Sequence, residues 1–242
     1  MVPLEGIPEL CPGDDLALAL HEAAERAGGL ADGDVVVVAQ KAVSKVEGRV
    51  VRLVDVEPSA RAVELAGLDG DPRHVEVILR ESVRVVRVRP PLVIAETRHG
   101  FVCASAGVDA SNAPEAGTLV LLPLDPDASA RRLRDRLVGL ASVEVGVVVS
   151  DSFGRAWRQG TTDVALGVAG LAPLRDLRGA LDAGGRELQS TQIAVADEIA
   201  GAAELVLGKS RGIPAARVRG ADVRGDGSAS ELVMPRERDL FR

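Results

Sequence analysis

Two short stretches of this chain are almost pure valine. Residues 35–40 read VVVVAQ and residues 145–150 read VGVVVS. Each is of strand length and stays apolar until its last position, so each is expected to be a buried strand. No apolar run, including 118–122, approaches the length needed to cross a bilayer. Aromatics make up only 2%: Phe101, Phe153, Trp157 and Phe241, with no tyrosine. The core must therefore be assembled from Val, Leu, Ala and Ile. With 46% apolar residues in 242, a sizeable one can be buried.

Helical signals surround these strands. Residues 14–27 have the helical period, with Asp14 or Asp15 as N-cap and Gly28-Gly29 as the stop. Residues 124–142 give the clearest helix: Asp125 can cap it and Pro126 suits its first turn. Shorter helices are expected over 59–65 and 74–81, and another over 194–207. Further strands are expected over 83–88, 92–97, 100–105, 118–123 and 216–220, while 41–51 reads as a polar connection. Helices and strands alternate irregularly, and some neighbouring strands lack a helical crossover. That pattern predicts a mixed α+β architecture and not a doubly wound parallel one.

Acids outnumber bases 36 to 29, for a net charge of −7, which excludes a sequence-wide basic field for nucleic acid. Cys11 and Cys103 make neither a disulfide framework nor a zinc site, and the N-terminus has no signal-peptide pattern. A soluble cytoplasmic protein that engages no membrane is expected. The dinucleotide GxGxxG and the P-loop GxxxxGK[ST] are both missing. Residues 208–212, GKSRG, contain GKS, but position 203 is Ala where a P-loop needs Gly.

Three segments concentrate polar groups beside apolar strands. In 39–48 (AQKAVSKVEG) a buried strand leads into Lys41 and Lys45. With Lys209 these are the only lysines of the chain, and lysine is a compact charge suited to phosphate. In 96–117, Asp109 and Asn112 are hard oxygen donors of the kind Mg²⁺ or Mn²⁺ takes. The same residues would equally make an Asx-type turn, and Asn112 could bond a base or ribose. His99 reads as structural or substrate-facing. In 147–163 a buried strand ends at Ser150-Asp151-Ser152, followed by Arg155 and Arg158, both suited to carboxylate or phosphate. Trp157 would stack on a planar ring or plug the loop. Read alone, these residues point to a metal–nucleotide site. A metal-dependent phosphohydrolase or phosphotransferase, another enzyme that uses a nucleotide, and a non-catalytic nucleotide-binding module all remain open.

The strings HGFVCASAGVDASN (99–112) and SDSFGRAWRQG (150–160), with GIPEL (6–10) and ADEIAGAAELVLGKSRGIP (196–214), narrow the choice. Over roughly 5–242 the chain resembles the coenzyme F420-0:L-glutamate ligases. These are free-standing archaeal enzymes and the N-terminal half of longer actinobacterial γ-glutamyl ligases. The resemblance implies an α+β, mixed-sheet, two-lobed monomer in an intertwined homodimer, with the nucleotide at the interface. It implies one ligase domain over 1–242, without a nitroreductase-like domain. It implies GTP-dependent addition of L-glutamate to coenzyme F420-0, and of further γ-linked glutamates to the glutamylated forms, through an acyl phosphate. Two divalent ions, Mg²⁺ or Mn²⁺, and a role for K⁺ come with it. Matched position by position, Asp109, Asp151 and Ser152 fall on metal contacts. Ile7, Pro8, Glu9, Leu10, Gln40, Lys41, Lys45 and Asn112 fall on GTP contacts, as do Leu207, Gly208, Lys209, Ser210, Arg211, Gly212, Ile213 and Pro214. His99, Arg155, Trp157 and Arg158 are the candidates for substrate binding.

Overall fold

The computed structural model describes residues 1–240, so Phe241 and Arg242 lie outside it. In chain order the elements are β1 (Val2–Pro3), α1 (Leu16–Arg26), β2 (Val35–Ala39), α2 (Gln40–Val46), β3 (Val50–Arg52), α3 (Ala60–Ala66), α4 (Pro72–Glu81), β4 (Ser82–Arg89), β5 (Leu92–Thr97) and β6 (Val102–Ala104). They continue with β7 (Thr118–Val120), α5 (Pro126–Ala141), β8 (Gly146–Arg155), β9 (Arg158–Ala169), β10 (Arg175–Asp176), β11 (Gln192–Ile193), α6 (Val195–Leu207) and β12 (Ala215–Val218). None of the described helices is long and apolar enough to cross a membrane.

The two valine runs lie side by side at the centre of a five-stranded sheet of order β1-β12-β2-β8-β9. β2 and β8 are parallel, in register from Val35↔Gly146 to Ala39↔Ser150, and the other pairings in the sheet are antiparallel. The sheet is mixed, as the irregular alternation predicts. Strand periodicity sends Val36, Val38, Val147 and Val149 to one face, where they pack with Leu16 and Leu20 of α1 and Leu137 of α5. Val35, Val37 and Val148 go to the other face, against Ala196, Ile199, Ala200 and Ala203 of α6. Helices cover both faces, so the valines of both runs are buried and no polar alternation survives. Each fully buried valine contributes about 1.5–3 kcal/mol. A third core joins α3 and α4 to the strands between residues 82 and 121, through Val75, Ile78, Val93, Ala95, Leu119 and Leu121.

Caps fix the helix ends where short polar side chains allow it. Asp15 accepts from Leu18 N at 3.0 Å and Asp125 from Ala128 N at 2.9 Å. Asp71 accepts from Arg73 N at 2.9 Å with Pro72 in the first turn, so α4 begins two residues before the expected 74. The N-terminus of α5 lies directly on β9: a Cβ on Gly167 would stand 2.2 Å from the Pro126 carbonyl oxygen.

Two expectations are corrected. The polar connection over 41–51 is in fact the helix α2 followed by β3. QKAVSKV has neither Gly nor Pro, and Ala42 and Val43 bury one face of the turn in the α1 core. The third segment is not a loop after Ser150. β8 runs on to Arg155, turns through Trp157 (φ 55°), and returns as β9, paired from Arg155↔Arg158 to Val147↔Ala169. The outer half of this hairpin is exposed and polar, which hides its strand character in the sequence.

Candidate active site

The parallel pairing of β2 and β8 sets the C-terminal end of β2 beside Ser150, midway along β8. From β2 the chain passes straight into α2, and positions i and i+4 of that helix put Lys41 and Lys45 on one side. From β8 come Ser150, Asp151 and Ser152. The segment after α6 is tied to the end of β2 by Ala39 N donating to Pro214 O at 2.8 Å. Asn112 Nδ2 donates to Lys209 O at 3.4 Å, which brings the 105–117 stretch over the same opening. Together with 7–10 after β1 these segments enclose a cavity of about 570 Å³, a size that suits a small organic ligand.

The wall carries alternating charge. Lys41 Nζ donates to Asp109 Oδ2 at 2.6 Å, to Ser111 Oγ at 2.7 Å and to Ser111 O at 2.9 Å. Ser111 N also donates to Asp109 Oδ1 at 2.7 Å, so the Asx-type turn is present as well. Burial raises the Asp109 carboxyl, but the Lys41 ammonium and the Ser111 donors outweigh it and hold Asp109 below the usual range. Lys45 pairs with Glu9 at 2.5 Å. Asp151 differs from both. Burial pushes it up to about 7, Asp163 and Asp109 add to the rise, and Ser152 N–H and Lys41 only partly oppose it. Gln40 is buried; its Oε1 accepts from Ser44 Oγ at 2.8 Å, and its Nε2 has no partner. Such an orphaned donor in a cavity wall suits an acceptor oxygen on a ligand.

Among the described residues no three His, Cys, Asp or Glu side chains are grouped so as to hold a metal ion by themselves. The donors present are hard oxygens: Asp109, Asp151 and Ser152. That set fits a small divalent cation that takes one or two carboxylates from protein and completes its shell with phosphate and water.

A family model described as F420-0:Gamma-glutamyl ligase matches residues 6–220. The chain belongs to this family. It is 44% identical to the coenzyme F420:L-glutamate ligase of Methanothermobacter thermautotrophicus, over 100% of this chain and 98% of that one. It is 47% identical to the protein of the same name from Methanopyrus kandleri, over 100% and 96%. For the Archaeoglobus fulgidus protein of that name the identity is 43%, over 99% and 95%.

In this member of the F420-0:gamma-glutamyl ligase family, most of the residues singled out in the sequence meet at the cavity. Ile7, Pro8, Glu9, Leu10, Gln40, Lys41, Lys45 and Asn112 line it. So do Asp151, Ser152, Leu207, Gly208, Lys209, Gly212, Ile213 and Pro214. Asp109 stands just behind the wall, joined to it by Lys41. Ser210 and Arg211 are not part of the lining; Arg211 Nη1 instead donates to Val206 O at 3.0 Å. His99 is placed as a strut. Its Nε2 lies 3.0 Å from Pro123 O and 3.1 Å from Leu124 O, and its ring stacks on Phe101 at 5.4 Å. Burial lowers its pKa, in keeping with a neutral ring. Arg155, Trp157 and Arg158 sit at the exposed turn of the β8–β9 hairpin, outside the lining.

Two carboxylates of this ligase-family cavity were not anticipated: Asp163 and Glu204. Asp163 is the cross-strand partner of Ser152 and is buried. The alternation in TTDVALGVA, read as a returning strand, would have found it. Glu204 occupies one face of α6 near its C-terminus, and nothing in its spacing sets it apart from a solvated helix residue.

Proposed function

We propose that this chain is a GTP-dependent ligase that joins L-glutamate to coenzyme F420-0 in coenzyme F420 biosynthesis, and then adds further glutamates in γ-linkage. One observation carries the reading: a single cavity is walled by two lysines of one helix and by the carboxyl of Asp151 on β8. Lysine ammonium groups are the donors a polyphosphate needs. Family membership and the names of relatives aligned over the full chain support the acceptor and the amino acid.

A carboxylate is a poor electrophile until one of its oxygens becomes a leaving group. In the proposed sequence an acceptor carboxylate oxygen attacks the γ-phosphorus, and GDP leaves. The glutamate amine then attacks the acyl carbon and phosphate leaves, with one proton lost from the amine. Lys41 and Lys45 would exchange Asp109 and Glu9 for phosphate oxygens and hold the chain of phosphates in line. Asp109, Asp151 and Ser152 would hold Mg²⁺ or Mn²⁺, which when bound neutralises charge on the transferred phosphoryl group. A second divalent ion, K⁺ and a cytoplasmic homodimer belong to the same reading.

The test is an assay with the deazaflavin acceptor, L-glutamate, GTP and Mn²⁺, read by mass spectrometry of the product ladder and by GDP release. Glutamylated product with stoichiometric GDP supports the proposal. Phosphate release that needs no glutamate would replace it with a phosphohydrolase, and tight GTP binding without turnover would replace it with a nucleotide-binding module.

A further inference from the structure

The proposed reaction does not use Asp163. It lies on β9 directly opposite Ser152, in the cavity wall, and is 6% exposed. Its Oδ1 accepts from Ser152 Oγ at 2.7 Å and its Oδ2 from Ser150 Oγ at 3.1 Å. Each carboxylate oxygen thus holds one serine hydroxyl of the same strand. Ser150 is almost fully buried, at 1% exposure.

The direction of these bonds is fixed by chemistry. An ionised carboxylate has no proton to give, so both hydroxyls donate. A serine hydroxyl has one proton and two lone pairs. Once the proton is committed to Asp163, only lone pairs remain for whatever occupies the cavity. Without the carboxylate, Ser152 would be a rotor that presents either a proton or a lone pair. A cation tolerates only the second.

We propose that Asp163 is a positioning residue: by taking the hydroxyl protons of Ser150 and Ser152, it sets Ser152 Oγ as an acceptor-only oxygen facing the cavity, ready for a divalent cation. The inference rests on the metal–nucleotide reading above and adds to it a residue that touches neither nucleotide nor cation. Ser150 holds the second carboxylate oxygen and keeps Asp163 from rotating. Groups that orient a metal ligand in this way typically account for about 10–100-fold in metal affinity.

The test measures Mn²⁺ binding in the presence of GDP, by electron paramagnetic resonance of free Mn²⁺, so that no turnover is involved. If the wild-type chain binds no Mn²⁺ with GDP, the metal–nucleotide reading fails. If it binds, Asp163→Asn is expected to weaken Mn²⁺ about 10-fold or more, because the amide offers only one acceptor and adds a donor. GDP affinity measured in chelator should stay unchanged. Ser152→Ala should weaken Mn²⁺ by a similar factor, and adding Asp163→Asn to it should cost little more. Unchanged Mn²⁺ affinity in Asp163→Asn overturns the inference, as does a full additional loss in the double variant. Should Asp163→Asn fail to fold, Ser152→Ala decides alone: unaltered Mn²⁺ affinity in that variant also overturns it.

Discussion

Lys41 reaches from the first turn of α2 to place its ammonium 2.6 Å from Asp109 Oδ2. The bond joins the end of the central valine strand to the stretch that carries Asn112. In the proposed reaction this cation would turn to phosphate and this anion to the metal. The carboxylate Asp109 is thereby kept ionised, while Asp151 keeps its proton to about pH 7.

Loss of either acid should therefore stop the proposed chemistry. Asp109→Ala and Asp151→Ala are each expected to lower turnover at least ~100-fold. The product ladder by mass spectrometry checks this, and near-normal ladders from both variants would remove their assigned role.

The Lys45–Glu9 pair predicts opposite effects from its two members. Lys45→Ala removes a charged contact to phosphate and should weaken GTP by about 10-fold or more. Glu9→Gln removes the internal competitor for that ammonium and should tighten GTP by a few-fold, more at low salt. Calorimetric titrations at two ionic strengths distinguish the pair from a passive wall, for which both changes would shift affinity in the same direction.

Asp151 gives the metal-free protein a pH signature. Its folded value of about 7 lies above the ordinary 3.8, so between those limits the folded state binds a proton that the unfolded state has released. Stability from this group is present at low pH and is lost as pH rises through 7. In chelator, Asp151→Asn should remove that slope and raise stability at pH 8 by on the order of 1–3 kcal/mol. Denaturant melts at pH 5 and pH 8 measure it; an equal offset at both pH values would contradict the assignment.

Gly167 tests the packing of α5 on β9. Any side chain there meets the Pro126 carbonyl at 2.2 Å, and backbone cannot move aside cheaply. Gly167→Ala should cost ~3 kcal/mol or more, seen as a large fall in Tm. Gly139, on α5 with open space around the same test position, should tolerate alanine without loss.

Much of this architecture could be read from the chain because its signals are local. Uninterrupted valine runs demand cover on both faces, and Asp125-Pro126 marks a helix start by cap chemistry alone. Site residues near those strand ends, such as Lys41, Lys45 and Asp151, could be named for the same reason, and the quoted strings added the family. What stayed hidden depends on pairing across distance. The outer half of the β8–β9 hairpin is polar on both sides, so its periodicity is weak, and Asp163 went unnoticed with it. α2 was missed because seven residues carry too little periodic signal to outweigh their polarity. In the sequence His99 reads as either structural or substrate-facing, because sequence cannot show that the carbonyls of Pro123 and Leu124 lie within reach of its ring nitrogen.

The order of strands also bears on how the molecule is made. β12 lies between β1 and β2, so β1 has no sheet neighbour until the chain has been made as far as β12. Leu4 N, for instance, bonds only to Ala215 O. The segment that leads into β12 is also the final wall of the cavity. Until that segment has been made and β12 has paired, the cavity stays open on that side.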